Sequence, residues 1–158
     1  MEINMEIQML GKIVIAALLG GLVGLEREFA ERPAGLRTHM LVCGTAAFFV
    51  LLADLLLDNF EQKEILNADP VRVVEAIVVG ISFLGAGTIL KYREQGERVV
   101  EGLTTSASIL SVAAIGIAVA LNAYILAVGV ALLNLLINWG LMALITRTNI
   151  KTNKHVDA

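Results

Sequence analysis

The sequence predicts an all-α fold, a polytopic bundle of five transmembrane helices, and three observations support that class. Of its 158 residues, 57% are hydrophobic and 17% are charged, and the mean hydropathy is +0.77. Ordinary soluble domains are much less apolar. Charge-free stretches recur along the chain, and the last covers 45 residues, 102–146. As one helix that stretch would measure roughly 68 Å, more than twice the ~30 Å hydrocarbon core, so it must turn once.

The first helix is predicted at 7–26. An apolar run near the N-terminus could be mistaken for a signal peptide, but the acidic residues Glu2 and Glu6 precede it. The charged segment 26–28 follows where a cleavage site would need small residues. We therefore interpret the run as a retained helix.

The other four helices are bounded by residues that commonly break helices. Pro33 separates the first helix from the second, and Asp69 precedes Pro70 where an acceptor cap and a proline are favoured. Gly102 precedes the fourth helix, and Asn122 marks the turn before the fifth. The predicted ranges are 37–58, 70–91, 103–121 and 124–146.

The basic residues predict the topology. Nine of the 12 lie in the first loop, the third loop and the C-terminal tail, and three lie on the other side. Under the positive-inside rule the N-terminus is outside and the C-terminus is cytoplasmic. We expect one transmembrane domain, 1–146, followed by a short cytoplasmic tail, 147–158.

Composition argues against several functions. The net charge is −3, and no basic run suggests a nucleic-acid partner. The single cysteine, Cys43, excludes an intrachain disulfide and a zinc site built on paired cysteines. His39 lies one helical turn before Cys43, but two ligands do not make a metal site. We see no nucleophile and base arrangement, so we expect neither an enzyme nor a cofactor.

Acidic residues gather on the predicted external side, and four of them are candidate cation-facing acids: Asp54, Asp58, Asp69 and Glu75. Hard divalent ions such as Mg²⁺ take oxygen ligands, so a Mg²⁺ interaction is one interpretation. A solvated acidic rim is the other, and we favour it. Glu75 lies about one turn inside the third helix, where an unpaired acid suggests a functional site, although Arg72 is close enough in sequence to pair with it.

Small and polar residues predict close helix contacts. Gly20 and Gly24 form a GxxxG pattern, which lets membrane helices approach closely. Asn134 and Asn138 lie four residues apart on one face of the fifth helix. We expect them to form hydrogen bonds between helices, with a polar permeation lining as the alternative, and either role could lie at a contact between two copies of the chain.

An internal comparison suggests a duplication. Residues 35–38 (GLRT) align with residues 102–105 (GLTT) at an offset of 67 positions. Helices one and two would then be repeated in parallel as helices three and four. Arg37 aligns with Thr104, so one half has a charge that the other lacks, which points to a specialised role for Arg37.

Ordered motifs give the chain a family resemblance. They are GLERE at 24–28, RPAGLRT at 32–38, DP at 69–70, FLGAG at 83–87 and GLTT at 102–105. Together they resemble the membrane domain of the MgtC/SapB family. The resemblance implies a bacterial inner-membrane protein linked to growth in low magnesium and to virulence, which acts partly by restraining the proton-driven ATP synthase. Many members carry a soluble domain after the last helix, and we expect this chain to be the transmembrane domain without it.

The resemblance also implies a functional motif: Glu26, Arg27, Gly35, Arg37, Thr38, Gly85, Gly87, Thr104 and Thr105. We expect Glu26 to pair with Arg27 or Arg37 and to hold the loop 33–38 as a docking or gating surface; topological anchoring is the alternative. The segment 85–87 is interpreted as a thin or bent place in a helix, where a neighbour comes close or backbone carbonyls are freed.

Two functional classes remain open. The protein is expected to be a regulator that docks onto a partner membrane complex such as the ATP synthase, and to form a homodimer in the lipid bilayer. The alternative is a Mg²⁺ or proton channel or transporter. A carrier needs acids or unwound backbone near the midplane, whereas most charges here lie near the two surfaces, which favours the regulator.

Overall fold

The computed structural model describes residues 3–59, 70–94 and 97–140, and within them the chain forms five α-helices and one short hairpin. The helices are α1 (Ile3–Phe29), α2 (Leu36–Asn59), α3 (Pro70–Gly87), α4 (Leu103–Ala120) and α5 (Tyr124–Leu135). The strands β1 (Leu90–Glu94) and β2 (Glu97–Glu101) pair antiparallel, and α5 continues into a π-helical turn, Leu136–Gly140. The predicted all-α class is confirmed.

Three stretches of helix are long and apolar enough to cross a membrane: Ile3–Phe29, Leu36–Leu57 and Leu103–Ala120. The helix α3 has 18 residues, and α5 with its π-helical turn forms a shorter apolar helix, Tyr124–Gly140. All five predicted helices are therefore present. That α3 and α5 also cross the bilayer stays a prediction.

The core lies where α1, α2 and α4 meet. Its fully buried side chains include small and β-branched residues: Ala16, Cys43, Ala47, Val112 and Val119. Lipid tails are as apolar as these side chains, so membrane helices associate through close packing rather than through a hydrophobic driving force. The helix α3 packs mainly on α4, and α5 packs on α4 and α1. This arrangement makes α4 the central helix.

The GxxxG pattern of α1 packs against α2, as predicted. A Cβ atom built on Gly20 would lie 2.5 Å from the Cβ of Cys43, and one on Gly24 would lie 2.7 Å from the Cβ of His39. Neither contact leaves room for a side chain. Gly116 brings α4 equally close to the backbone of α2, since a Cβ there would overlap the carbonyl oxygen of Cys43.

The predicted breaks before α4 and α5 are confirmed. Gly102 precedes α4 with a φ of 87°, in the left-handed region that favours glycine. Asn122 has a φ of 61° in the turn between α4 and α5, and asparagine tolerates that conformation better than most residues. The helix α3 begins at Pro70 as predicted, whereas the capping role of Asp69 lies outside the described residues.

The predicted end of the third helix at residue 91 is wrong. The helix α3 ends at Gly87, and Leu90 already belongs to the hairpin, in which it faces Glu101. Glycine weakens a helix, and the Thr88 hydroxyl donates to the carbonyl oxygen of Gly85 at 2.8 Å, which closes the helix end. The predicted continuation of α5 to residue 146 and the tail 147–158 lie outside the described residues.

The helix starts agree with the predicted parallel duplication. The starts of α2 and α4 are 67 positions apart, and so are those of α1 and α3. The two halves differ where their first helices end. The helix α1 has 27 residues and leads to α2 through a short loop, whereas α3 has 18 and leads to α4 through the hairpin.

Candidate functional site

Three helix ends meet at one end of the bundle. The loop 30–35 joins the end of α1 to the start of α2, and α4 begins beside both of them. Five polar side chains lie between these ends: Arg27, His39, Thr104, Thr105 and Ser108. We call them the Arg27 cluster.

Arg27 connects α1 to the first turn of α4. Its side chain is only 4% exposed, and Nη2 donates to the hydroxyl oxygens of Thr105 at 3.2 Å and Thr104 at 3.4 Å. The Nε atom is buried and has no hydrogen-bond partner in the described part of the chain. The Nη2 atom of Arg27 is thus held by neutral hydroxyls, while Glu26 attracts the guanidinium group electrostatically. Three residues of the expected functional motif are therefore in direct contact.

Glu26 does not take the expected place. Its Oε2 atom is buried without a hydrogen-bond partner among the described residues, while Arg27 is directed to α4. Adjacent residues on a helix project about 100° apart, which explains why Glu26 and Arg27 do not face each other. Arg37 is exposed on the first turn of α2. The expected pairing of Glu26 with either arginine is therefore not what holds the loop.

Glu28 holds the loop instead. Its Oε2 atom accepts the backbone N–H of Leu36 at 3.0 Å and so caps the start of α2. A Cβ atom on Gly35 would overlap that same carboxylate oxygen, so a larger residue there would displace the Glu28 carboxylate from its present position. Sequence reasoning missed the capping role of Glu28, because the carboxylate comes from the preceding helix and not from a position next to the cap.

His39 is the second buried link between helices. It is fully buried, with Nδ1 at 2.8 Å from the carbonyl oxygen of Gly35 and Nε2 at 2.8 Å from the hydroxyl oxygen of Ser108. A carbonyl only accepts, so Nδ1 carries a hydrogen, and in a neutral ring Nε2 then accepts from Ser108. The sequence holds a signal for this link that was not used: Thr105 and Ser108 are polar, lie three positions apart and so share a face of α4.

Of the remaining motif residues, Gly85 lies close to a neighbouring helix, whereas Gly87 and Thr38 are exposed. A Cβ atom on Gly85 would lie 2.5 Å from the hydroxyl oxygen of Ser106, so the predicted thin place is confirmed there, where α3 meets α4. Gly87 has open space around it. Thr38 is exposed and lies next to Arg37 on α2.

The candidate cation-facing acids do not converge in the part of the chain that the structure describes. Asp54 and Glu75 are exposed on different helices. The side chain of Asp58 and all of Asp69 lie outside the described residues. Within the described ranges, no group of three or more His, Cys, Asp or Glu side chains is placed to hold a metal ion.

Apolar helices that are joined at one end by buried polar contacts define the class of the protein, a helical membrane protein. The family follows from sequence comparison: the family model of MgtC matches residues 13–147, so the chain belongs to the MgtC family. No solved structure matches significantly.

Curated relatives carry the same family names. Protein MgtC of Brucella abortus (strain 2308) is 45% identical over 102 residues, which cover 65% of this chain and 38% of the relative. YhiD of Escherichia coli (strain K12), named as a candidate magnesium transporter, is 33% identical over 126 residues, or 80% and 57%. Protein SapB of Bacillus subtilis (strain 168) is 34% identical over 113 residues, or 72% and 47%. The chain thus spans about half the length of the curated relatives it matches.

Proposed function

We propose that the protein is a regulator in magnesium homeostasis that docks onto a partner membrane complex, such as the ATP synthase, through the Arg27 end of the bundle. The observation that carries this proposal is the buried contact of Arg27 with Thr104 and Thr105, which ties the end of α1 to the start of α4. A surface that is already ordered favours docking, because ordering mobile groups on binding costs free energy.

The packing of the bundle favours docking over transport. The space between α1, α2 and α4 is filled by fully buried side chains such as Ala16, Cys43 and Val112. The two largest buried polar side chains, Arg27 and His39, form contacts between helices. Transport sites typically use helices that are broken near the membrane midplane, whereas α1, α2 and α4 are each continuous.

Exposed basic residues lie in the loop after α1, at the start of α2 and in the hairpin that leads into α4: Arg32, Arg37, Lys91, Arg93 and Arg98. They would complement an acidic surface on the partner and would speed its association. We propose that this end faces the cytoplasm of a bacterium, with the bundle in the inner membrane and the N-terminus outside, as the positive-inside rule favours.

The apolar faces of the outer helices suit a lipid bilayer, and a second copy of the chain is a further proposed partner within it. Ile125 on α5 is 92% exposed and Phe83 on α3 is 80% exposed. Native mass spectrometry of the protein in a mild detergent should show a dimer. A monomer at every protein concentration would contradict the proposed dimer.

Photo-crosslinking in cells tests the docking proposal. A photoreactive amino acid at position 37, on the exposed surface beside the Arg27 cluster, should capture a subunit of the partner complex, to be identified by mass spectrometry. The matched control is the same amino acid at position 125, which is exposed near the other end of the bundle. Identical products from both positions would contradict docking through the Arg27 end.

Transport of Mg²⁺ or protons is the second candidate function. The name of the relative YhiD favours it, and so does Glu75, an acid within α3. Purified protein in liposomes without a partner should show no flux if the regulator is correct. Flux that is lost in Glu75→Gln but retained in Glu6→Gln, an exposed acid in the first turn of α1, would establish transport instead.

A further inference from the structure

A groove of about 680 Å³ lies between α2 and α3. Its wall on α2 runs from Thr45 to Leu56, and its wall on α3 runs from Arg72 to Leu84. The lining positions on each helix recur about every four residues, so each helix presents one face to the groove. Because α3 packs mainly on α4, the space beside α2 stays open.

The walls of the groove favour an apolar occupant. Among the described lining residues, Thr45 and Arg72 have the only polar side chains. An empty apolar space loses dispersion contacts, and water finds too few polar partners to occupy it stably. Leu56, Gly80 and Leu84 line the groove and are exposed, so an occupant reaches it from outside without opening the core.

The length of the groove suits an acyl chain. From Thr45 to Leu56 the wall on α2 extends about 17 Å, at about 1.5 Å per residue. One leaflet contributes about half of the ~30 Å hydrocarbon core, or about 15 Å. A groove of this length therefore accommodates an extended apolar chain over the depth of one leaflet. A compact apolar molecule would fill only part of it.

Arg72 gives one end of the groove a positive charge. It lies in the first turn of α3, is exposed, and is the one charged side chain among the described lining residues. The acids Asp54 and Glu75 belong to the same two helices but do not line the groove. A guanidinium group donates two parallel hydrogen bonds to a phosphate. An apolar groove that ends in one cation is therefore complementary to a molecule whose apolar chain ends in a phosphate.

We infer that the groove holds an acyl chain of one glycerophospholipid molecule, and that Arg72 binds the phosphate of its headgroup. Basic residues in pockets between membrane helices bind lipid headgroups by the same chemistry. The lipid site rests on the proposed function only in placing the bundle, α3 included, in the bilayer. A second copy of the chain is the competing occupant; its apolar helix faces would fill the groove but would bring no phosphate to Arg72.

Native mass spectrometry tests the groove, since one spectrum reports both the bound lipid and the number of chains in the complex. The purified full chain is washed free of lipid in a neutral detergent. Two probes are then titrated separately: phosphatidylglycerol, and a diacylglycerol with the same acyl chains. Phosphatidylglycerol should bind as one molecule per chain. The diacylglycerol should bind about tenfold more weakly, or weaker still, because it lacks the phosphate that accepts charge-assisted hydrogen bonds.

Two variants tie the binding to the groove. A Cβ atom on Gly80 would meet open space, so Gly80→Leu should fold and place its side chain in the groove, where it excludes the acyl chain. Arg72→Gln keeps the apolar walls and removes the cation, so it should bind phosphatidylglycerol as weakly as the original protein binds the diacylglycerol. The matched controls are Gly11→Leu on α1, where a Cβ atom would also meet open space, and Arg98→Gln on β2. Both should bind as the original protein does.

Equal binding of the two probes would overturn the role of Arg72, and undiminished binding of phosphatidylglycerol by Gly80→Leu would overturn the groove as the site. A dimer that Gly80→Leu converts to a monomer, with no phosphatidylglycerol bound to the original protein, would assign the groove to a second copy of the chain instead. Crosslinking at position 37 separates the lipid site from the proposed function. Capture of the partner without bound lipid would remove only the lipid site, and bound lipid without capture would remove only the docking proposal.

Discussion

The two helix pairs of the bundle, α1 with α2 and α3 with α4, differ in what they contribute to the site. The first half supplies the long, nitrogen-bearing side chains, Arg27 from α1 and His39 from α2. The second half supplies short hydroxyls from α4, namely Thr105 and Ser108. Sixty-seven positions after His39 stands Ser106, so the two helix pairs differ at a position that carries these contacts.

Under the predicted duplication, this difference is how a repeated pair of helices would become one asymmetric site. A contact between two identical halves would place like residues together, and two buried arginines would repel each other. Divergence into donors and acceptors removes that conflict and ties the halves together through α4. The hairpin between α3 and α4 adds to the asymmetry. It begins soon after α3 ends at Gly87, whereas α1 continues as a helix to Phe29.

The largest effect should come from two glycines that lie 67 positions apart, one in α1 and one in α3. A Cβ atom built on Gly20 would lie 2.5 Å from the Cβ of Cys43, whereas a Cβ atom on Gly87 would meet open space. Gly20→Leu should destabilise the bundle by about 3 kcal/mol or prevent its accumulation, because the side chain would have to separate α1 from α2. Gly87→Leu should be tolerated. Unfolding of the purified variants in detergent measures both, and similar losses would show that the halves pack alike.

Arg27 and Arg37 should differ in the kind of effect that they have. Arg27→Gln removes buried contacts with Thr104 and Thr105 and should reduce the free energy of unfolding by about 2 kcal/mol, the range for hydrogen bonds to a charged group. Arg37→Ala changes an exposed side chain and should cost less than about 0.5 kcal/mol. If docking uses this surface, Arg37→Ala should still reduce capture of the partner. Equal stabilities of the two variants would contradict the structural role of Arg27.

Much of this fold could be predicted from the sequence because bilayer thickness and charge-free length determine the helices. The turn at Asn122 and the start of α4 after Gly102 could be predicted because they depend on the backbone preferences of these two residues. The hairpin was missed because the charged segment after Gly87 reads equally well as the end of a helix. The role of Glu28 was missed because it depends on where the loop returns, which no local pattern encodes.

The link between His39 and Ser108 is a contact between the halves and can be tested by a double-mutant cycle. His39→Leu should destabilise the protein more than Ser108→Ala, because the imidazole also bonds the carbonyl of Gly35. The coupling between the two sites should be about 1 kcal/mol, typical of one buried hydrogen bond. The cycle is measured from the unfolding of both single variants and the double variant. Additive effects would mean that the 2.8 Å contact with Ser108 contributes no stability of its own.

The smallest effect should come from α5, where two asparagines look alike in the sequence and differ in the structure. The amide of Asn134 donates to the hydroxyl of Ser111 on α4 at 2.8 Å, as the predicted contact between helices requires. The Nδ2 atom of Asn138, in the π-helical turn, is buried without a partner among the described residues. Hydrogen bonds between membrane helices contribute about 0.6 kcal/mol on average, so Asn134→Leu should cost roughly that amount. Asn138→Leu should be neutral or slightly stabilising, because it removes a buried polar group that has no compensating contact there. Unfolding in detergent distinguishes the two, and a larger loss for Asn138→Leu would mean that its amide has a partner elsewhere, in the bilayer or in a second copy of the chain.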